Sequence, residues 1–155
     1  MSLIADYEQT RDFAVRYLGY APRTRKQLHD KLSEKDFSSE AIDAVMHLLT
    51  EKGYLDDIAF AQNYISHKTR VNNYGKRRII VGLLQKGIAK EDIQAAYSAI
   101  LDEGSNNEEI EAAKKALSKY ISKKGSDDKQ KLMAFLMRRG FSYDIIKKAM
   151  AEESL

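Results

Sequence analysis

One pattern is written three times along this chain, and an internal repeat constrains the fold more than any single motif can. Leu28, Leu32, Lys35-Asp36-Phe37 and Ile42 return 51 residues later as Ile79, Leu83, Lys86-Gly87-Ile88 and Ile93. After a further 53 residues they return again as Leu132, Leu136, Arg139-Gly140-Phe141 and Ile146. Small residues Ala96 and Ala149 also correspond, with Val45 in the first copy.

Each copy reads as three helices. The third helix carries the i, i+3, i+4, i+7 stripe of one buried face, as Ile42, Val45, Met46 and Leu49 and then as Ile93, Ala96, Tyr97 and Ile100. The first helix supplies Phe13, Val15, Tyr17 and Leu18, then Phe60, Ala61, Tyr64 and Ile65, then Ile110, Ala113, Leu117, Tyr120 and Ile121. No segment alternates with period two, so no strand is predicted. The expected fold is all-α: three tandem three-helix repeats stacked into an elongated, curved body in which each unit meets mainly its neighbours. The units are expected at residues 1–53, 54–104 and 105–155.

Boundary residues agree with this division. Thr24 with Gln27 and Ser105 with Glu108 have the spacing of capping boxes, and Asp56 and Ser126 stand where N-caps belong. Gly87 and Gly140 fall just past a second helix, where a left-handed residue ends the helix and turns the chain. The first copy has Asp36 there, a residue that visits that conformation at some cost. The single proline, Pro22, leaves the helices unbroken. At 155 residues the chain can bury roughly two-thirds of its unfolded surface.

With no cysteine, disulfides and thiolate zinc sites are excluded. The start, Met1-Ser2-Leu3-Ile4-Ala5-Asp6, has no basic segment followed by an apolar run, and no stretch approaches the ~20 apolar residues of a membrane span. A cytoplasmic protein is expected. His29, His47 and His67 are scattered without metal-ligand spacing, and phosphate-loop and nucleophile-elbow motifs are missing. The adjacent Asp56 and Asp57 read as helix-start carboxylates. No catalytic, cofactor or metal residues are predicted.

Charge is distributed unevenly. The net is only +3, yet the 33 residues between Asp57 and Glu91 hold no carboxylate. They hold Lys68, Arg70, Lys76, Arg77, Arg78, Lys86 and Lys90, whereas residues 102–111 hold five carboxylates and no cation. Surfaces normally interleave signs, so a cationic block points to an anionic partner such as phosphate. Arg77 and Arg78 open a helix, whose free N–H groups also favour anions. Tyr74, in the preceding loop, is a candidate base-stacking surface, whereas Tyr64 lies on the buried stripe. Arg138, Arg139, Lys147 and Lys148 form a smaller cationic set, which also suits charges placed near helix C-termini.

Several segments resemble the RecX regulatory proteins, bacterial modulators of the RecA recombinase. They are Tyr17-Leu18-Gly19-Tyr20 with Pro22-Arg23-Thr24 and Leu28; Gly53-Tyr54-Leu55-Asp56-Asp57 with Phe60-Ala61 and Tyr64; Gly75 with Arg78-Ile79, Leu83 and Lys86-Gly87-Ile88; and Lys131-Leu132 with Arg138-Arg139-Gly140-Phe141-Ser142-Tyr143. The resemblance spans nearly the whole chain in order and spacing. Two positions depart from it: Lys76, where the family often has proline, and Asp36 in place of a turn glycine. The resemblance implies a cytoplasmic bacterial protein of three tandem three-helix units that binds RecA and its filament on single-stranded DNA; separately, a monomer is expected. It implies damping of filament growth, ATP hydrolysis, strand exchange and coprotease activity. The residues themselves also fit a stand-alone helix–turn–helix module that reads duplex DNA, or a helical scaffold with no nucleic-acid role.

Overall fold

The computed structural model describes residues 3–101, 106–125 and 128–153. Among these residues there are nine helices and no strand: α1 (Leu3–Tyr20), α2 (Arg25–Glu34), α3 (Ser39–Glu51), α4 (Asp57–Arg70), α5 (Lys76–Gln85), α6 (Lys90–Leu101), α7 (Asn106–Lys124), α8 (Lys129–Arg138) and α9 (Tyr143–Glu152). They form three successive three-helix units, each around its own apolar cluster. The repeated positions make those clusters: Leu28 and Leu32, Ile79 and Leu83, and Leu132 and Leu136 are all buried, as are Ile42, Ile93 and Ile146.

In every unit the first helix packs most extensively on the third. Fully buried Ala14, Ala61 and Ala113 on the first helices leave room for that approach. Val15 is an exception to the sequence reading. It is 52% exposed, because the buried face of α1 runs through Ala14 and its neighbour Val15 points about 100° away from it.

The repeated Lys-Gly-Ile and Arg-Gly-Phe triplets are helix-stop motifs. Gly87 (φ +87°) and Gly140 (φ +98°) are left-handed. Beyond each, an apolar residue returns its N–H to the buried Leu four places before the glycine: Ile88 to the Leu83 carbonyl and Phe141 to the Leu136 carbonyl, both 3.2 Å. Asp36 adopts the same left-handed conformation (φ +61°), but the equivalent bond from Phe37 is not formed. Thr24 makes its capping box with Gln27, and Asp56 caps α4. Helix α8 is capped by Asp128, two residues beyond Ser126. Ser126 and Ser105 lie outside the described residues.

The segment Gly53-Tyr54-Leu55-Asp56-Asp57 joins two units, and its residues divide the work. Gly53 (φ +81°) ends α3. Leu55 enters the first unit's core, and the Asp56 side chain accepts from the Ala59 N–H at 3.0 Å. Asp57 reaches back to the first unit and accepts the Arg25 N–H at 2.9 Å.

Units dock through a junction that itself repeats. The Thr24 hydroxyl at the start of α2 donates to the Lys86 carbonyl at the end of α5, 2.8 Å away. One repeat on, the Gly75 N–H at the start of α5 donates to the Arg139 carbonyl at the end of α8, also at 2.8 Å. Gly75 has no side chain to cap α5, so the third unit supplies the acceptors. Glu109 takes the Lys76 N–H at 3.1 Å, and the Gly140 carbonyl takes the Arg77 N–H at 3.0 Å. A Cβ at Gly75 would overlap the Gly140–Phe141 peptide, so the two backbones touch. Helices α8, α5 and α2 therefore meet end to end, each C-terminus against the next N-terminus, which is the favourable sense for their dipoles. Among the described residues, the units are joined in series and keep three separate apolar clusters, so the body is elongated.

Candidate nucleic-acid interface

Helix spacing sorts the central cations. On α4, Tyr64 and Lys68 are one turn apart, and so are Arg78 and Gly82 on α5 and Lys86 at its C-cap. The two rows face each other across Gly82, which has no side chain because the Tyr64 hydroxyl occupies that space. Lys68 Nζ lies 5.4 Å from the Tyr64 ring centroid and 6.0 Å from that of Tyr74. Lys86 Nζ lies 5.8 Å from Tyr64. The Arg78 guanidinium sits 3.9 Å from the Tyr74 centroid, and Arg139 of the third unit reaches the same ring at 4.8 Å. Burial pushes the Tyr64 phenol up from its ordinary value, so the ring stays neutral among these cations.

Tyr74 is therefore not an open platform. Two guanidiniums lie against its ring, so a base stacking there would compete with Arg78 and Arg139. Arg139 is fixed further by donating to the carbonyls of Asn72 and Asn73. Burial pulls its guanidinium down from the usual value, and no carboxylate pairs with it among the described residues.

Arg70 and Lys76 do not join this cluster. They project the other way on their helices, toward the start of α7, where the carboxylates of the acidic stretch come back onto them. Arg70 pairs with Glu108 at 2.7 Å. Lys76 Nζ lies 4.7 Å from the Tyr97 ring while its N–H binds Glu109. Burial raises the Glu109 carboxyl, against the lowering effect of the Lys76 N–H and charge. The carboxylate-free stretch of sequence is thus neutralised on one side by residues 38 and 33 positions away.

Arg77 and Lys90 are exposed, with no side-chain partner among the described residues. In the smaller set, only Arg139 belongs to the tyrosine cluster. Arg138 is exposed, Lys147 lies 5.4 Å from the Tyr143 ring, and Lys148 pairs with Asp144 at 3.3 Å, so the last two make local contacts on α9. The sequence reading overlooked a row of lysines on α7, Lys115, Lys119 and Lys123, whose i, i+4, i+8 spacing was available as a signal. Among the described residues no group of three His, Asp or Glu side chains could hold a metal ion, and no helix is long and apolar enough to cross a membrane.

Comparison with known proteins gives this arrangement a family. Family models described as the first, second and third three-helix domains of RecX match residues 11–49, 56–96 and 107–150. A regulatory protein RecX of Finegoldia magna is 36% identical over 150 residues, which cover 93% of this chain and 71% of that protein. One from Chlorobium phaeobacteroides is 33% identical, covering 94% of this chain and 93% of its relative. The chain spans about half the length of other relatives, such as 55% of the Enterococcus faecalis protein, which is 32% identical. A crystal structure of RecX from Lactobacillus salivarius superposes with a TM-score of 0.86 at 26% identity, covering 97% of both chains. A second crystal structure, of a regulatory protein RecX, superposes at 0.78 with 27% identity, covering 92% of this chain and 72% of that one. Three family domains matched in order, with relatives above 30% identity over most of their length, establish that this chain belongs to the RecX family of regulatory proteins.

Proposed function

We propose that this protein modulates the RecA recombinase by binding its filament on single-stranded DNA, acting by contact and not by catalysis. The observation that carries the reading is the gathering of Lys68, Arg78, Lys86 and Arg139 around two tyrosine rings, with no ion pair to any of the four among the described residues. Such a face attracts phosphate, or acidic protein beside phosphate, as a nucleoprotein filament presents both. Units joined in series suit a long groove better than a single compact contact. In this reading the protein is a cytoplasmic monomer and RecA is its partner.

A stand-alone reader of duplex DNA fits less well. Such a module inserts the start of one helix into the major groove beside phosphates. Here every third helix carries acid in its first turn: Glu40 on α3, Glu91 and Asp92 on α6, and Asp144 on α9. Those carboxylates repel the backbone that such a helix must approach.

The test is binding to preformed RecA filaments on a labelled single strand, followed by anisotropy over a series of salt concentrations. Lys68→Glu combined with Lys86→Glu should keep the fold, weaken binding and flatten the salt dependence by roughly one to two units of slope, at ~0.7–0.9 per lost phosphate contact. A folded double variant that binds like the parent at every salt concentration would remove this face from the interface.

A further inference from the structure

The second and third units meet over a cleft of about 250 Å³ lined by Asn72 and Asn73 from the α4–α5 turn, by α7, by Phe135 of α8 and by Arg139 just beyond its end. Its character comes from three independent features. The first is an aromatic wall: the rings of Tyr120 and Phe135 stack with centroids 4.3 Å apart, beside buried Ala116. The second is charge. Lys119, Lys123 and Lys124 line the cleft, are exposed, and have no ion pair among the described residues. Arg139 adds a half-buried guanidinium, and no lining residue is acidic.

The third feature is unmet hydrogen bonding. Asn73 is only 3% exposed and its Oδ1 has no donor, and the Oδ1 of Asn72 is likewise unpaired. Both oxygens are covered by neighbouring atoms, so a donor on a ligand reaches them only as the α4–α5 turn gives way. Burial also makes the Arg139 charge costly, with no carboxylate to offset it.

Each candidate ligand must answer all three features. A bare phosphate satisfies the cations and wastes the aromatic wall. A hydrocarbon fits the wall and leaves four cations and two acceptors unmet. A flat aromatic ring that carries N–H donors and is joined to a phosphate answers them together. We propose that this cleft receives one unstacked nucleotide of a single strand. The base lies against Tyr120 and Phe135, Lys119, Lys123, Lys124 and Arg139 take the phosphate, and a shift of the α4–α5 turn lets the asparagine oxygens accept from the base. Base–aromatic contacts of this kind are sequence-tolerant, which suits a partner met at many positions along a strand.

The site is separate from the Tyr74 ring, whose space is already filled. The two are linked, because the Arg139 guanidinium lies 4.8 Å from the Tyr74 centroid and 5.7 Å from that of Phe135. A strand seated in the cleft would therefore run onto the cationic face of α4 and α5. The inference rests on the nucleic-acid half of the proposed function, and the test separates the two.

The full chain is mixed with a single-stranded oligodeoxynucleotide carrying 5-iododeoxyuridine, irradiated, and mapped by peptide mass spectrometry. Affinity is measured alongside for the parent and for Lys119→Gln/Lys123→Gln/Lys124→Gln, a triple variant at exposed positions whose melting temperature should match the parent's. Cross-links at Tyr120 or Phe135 are expected. So are an affinity loss of about tenfold or more and a salt slope shallower by about two, from three contacts at ~0.7 each. Cross-links confined to Tyr64 or Tyr74, with unchanged affinity of the triple variant, would overturn the cleft and leave the proposed function standing. Filament binding without any affinity for the free strand would do the same. A mononucleotide that competes as well as the strand would overturn the strand as the ligand.

Discussion

Replacing Gly75 by alanine has very different costs depending on whether the second and third units dock through their backbones. Gly75 has φ −84° and ψ 166°, a conformation in which alanine is at ease. In an undocked chain the unfolded-state gain and the weaker N-cap that alanine makes nearly offset each other, so the change is worth less than about 0.5 kcal/mol either way. In the docked chain the new methyl would overlap the carbonyl carbon and oxygen of Gly140 and the nitrogen of Phe141. Those atoms are backbone and cannot swing aside, so the units must part. Parting strips acceptors from the N–H groups of Gly75, Lys76 and Arg77. Three hydrogen bonds at up to about 1 kcal/mol each leave a net loss of about 2 kcal/mol or more. That lowers the melting temperature by roughly 4–8 °C for a chain of this size. Gly19 is the control: nothing lies within 4 Å of its Cβ position near the end of α1, so Gly19→Ala should stabilise by up to about 1 kcal/mol. Urea and thermal unfolding followed by far-UV circular dichroism read both. A Gly75→Ala protein as stable as the parent, or more so, would refute the docking argument.

Three further outcomes follow from the same geometry. Asp36→Gly should stabilise by about 0.5–1 kcal/mol in urea unfolding, because glycine takes the left-handed turn without the cost aspartate carries there. Burial raises the Asp57 carboxyl above its ordinary value, despite the opposing Arg25 N–H and charge. A raised acid favours the fold fully only below its unfolded pKa of ~3.9, and that stability is lost as pH rises through the higher folded value. Asp57→Asn keeps an oxygen for the Arg25 N–H without a charge to desolvate. It should flatten the stability-versus-pH curve above about pH 4, and an unchanged curve would count against the burial argument. Solution scattering should give a radius of gyration above the ~15 Å of a compact chain of this length, and a value at or below it would contradict units in series.

The repeat, the helices and their stops were legible in the sequence because they depend on local chemistry: apolar spacing, a glycine at the turn, an oxygen at the cap. Even the roles inside Gly53-Tyr54-Leu55-Asp56-Asp57 are half local. Gly53 and Asp56 act within their own helices, whereas Leu55 and Asp57 act on the preceding unit. What the sequence hid is what the junctions bring together. Glu108 and Glu109 read as a separate acidic stretch until α7 packs on α4 and lays them against Arg70 and Lys76. Nothing in the local sequence around Tyr74 shows that Arg139 of the third unit reaches its ring. Single-residue phase errors were also possible within a correctly read helix, as Val15 beside buried Ala14 illustrates.

The most direct test of the account is the single-stranded-DNA-dependent ATPase of RecA, titrated with this protein and with its folded Lys68→Glu/Lys86→Glu variant. The account predicts that substoichiometric amounts of the parent slow ATP hydrolysis and that the variant needs far more protein for the same effect. Equal inhibition by the two, or none by either, would contradict it.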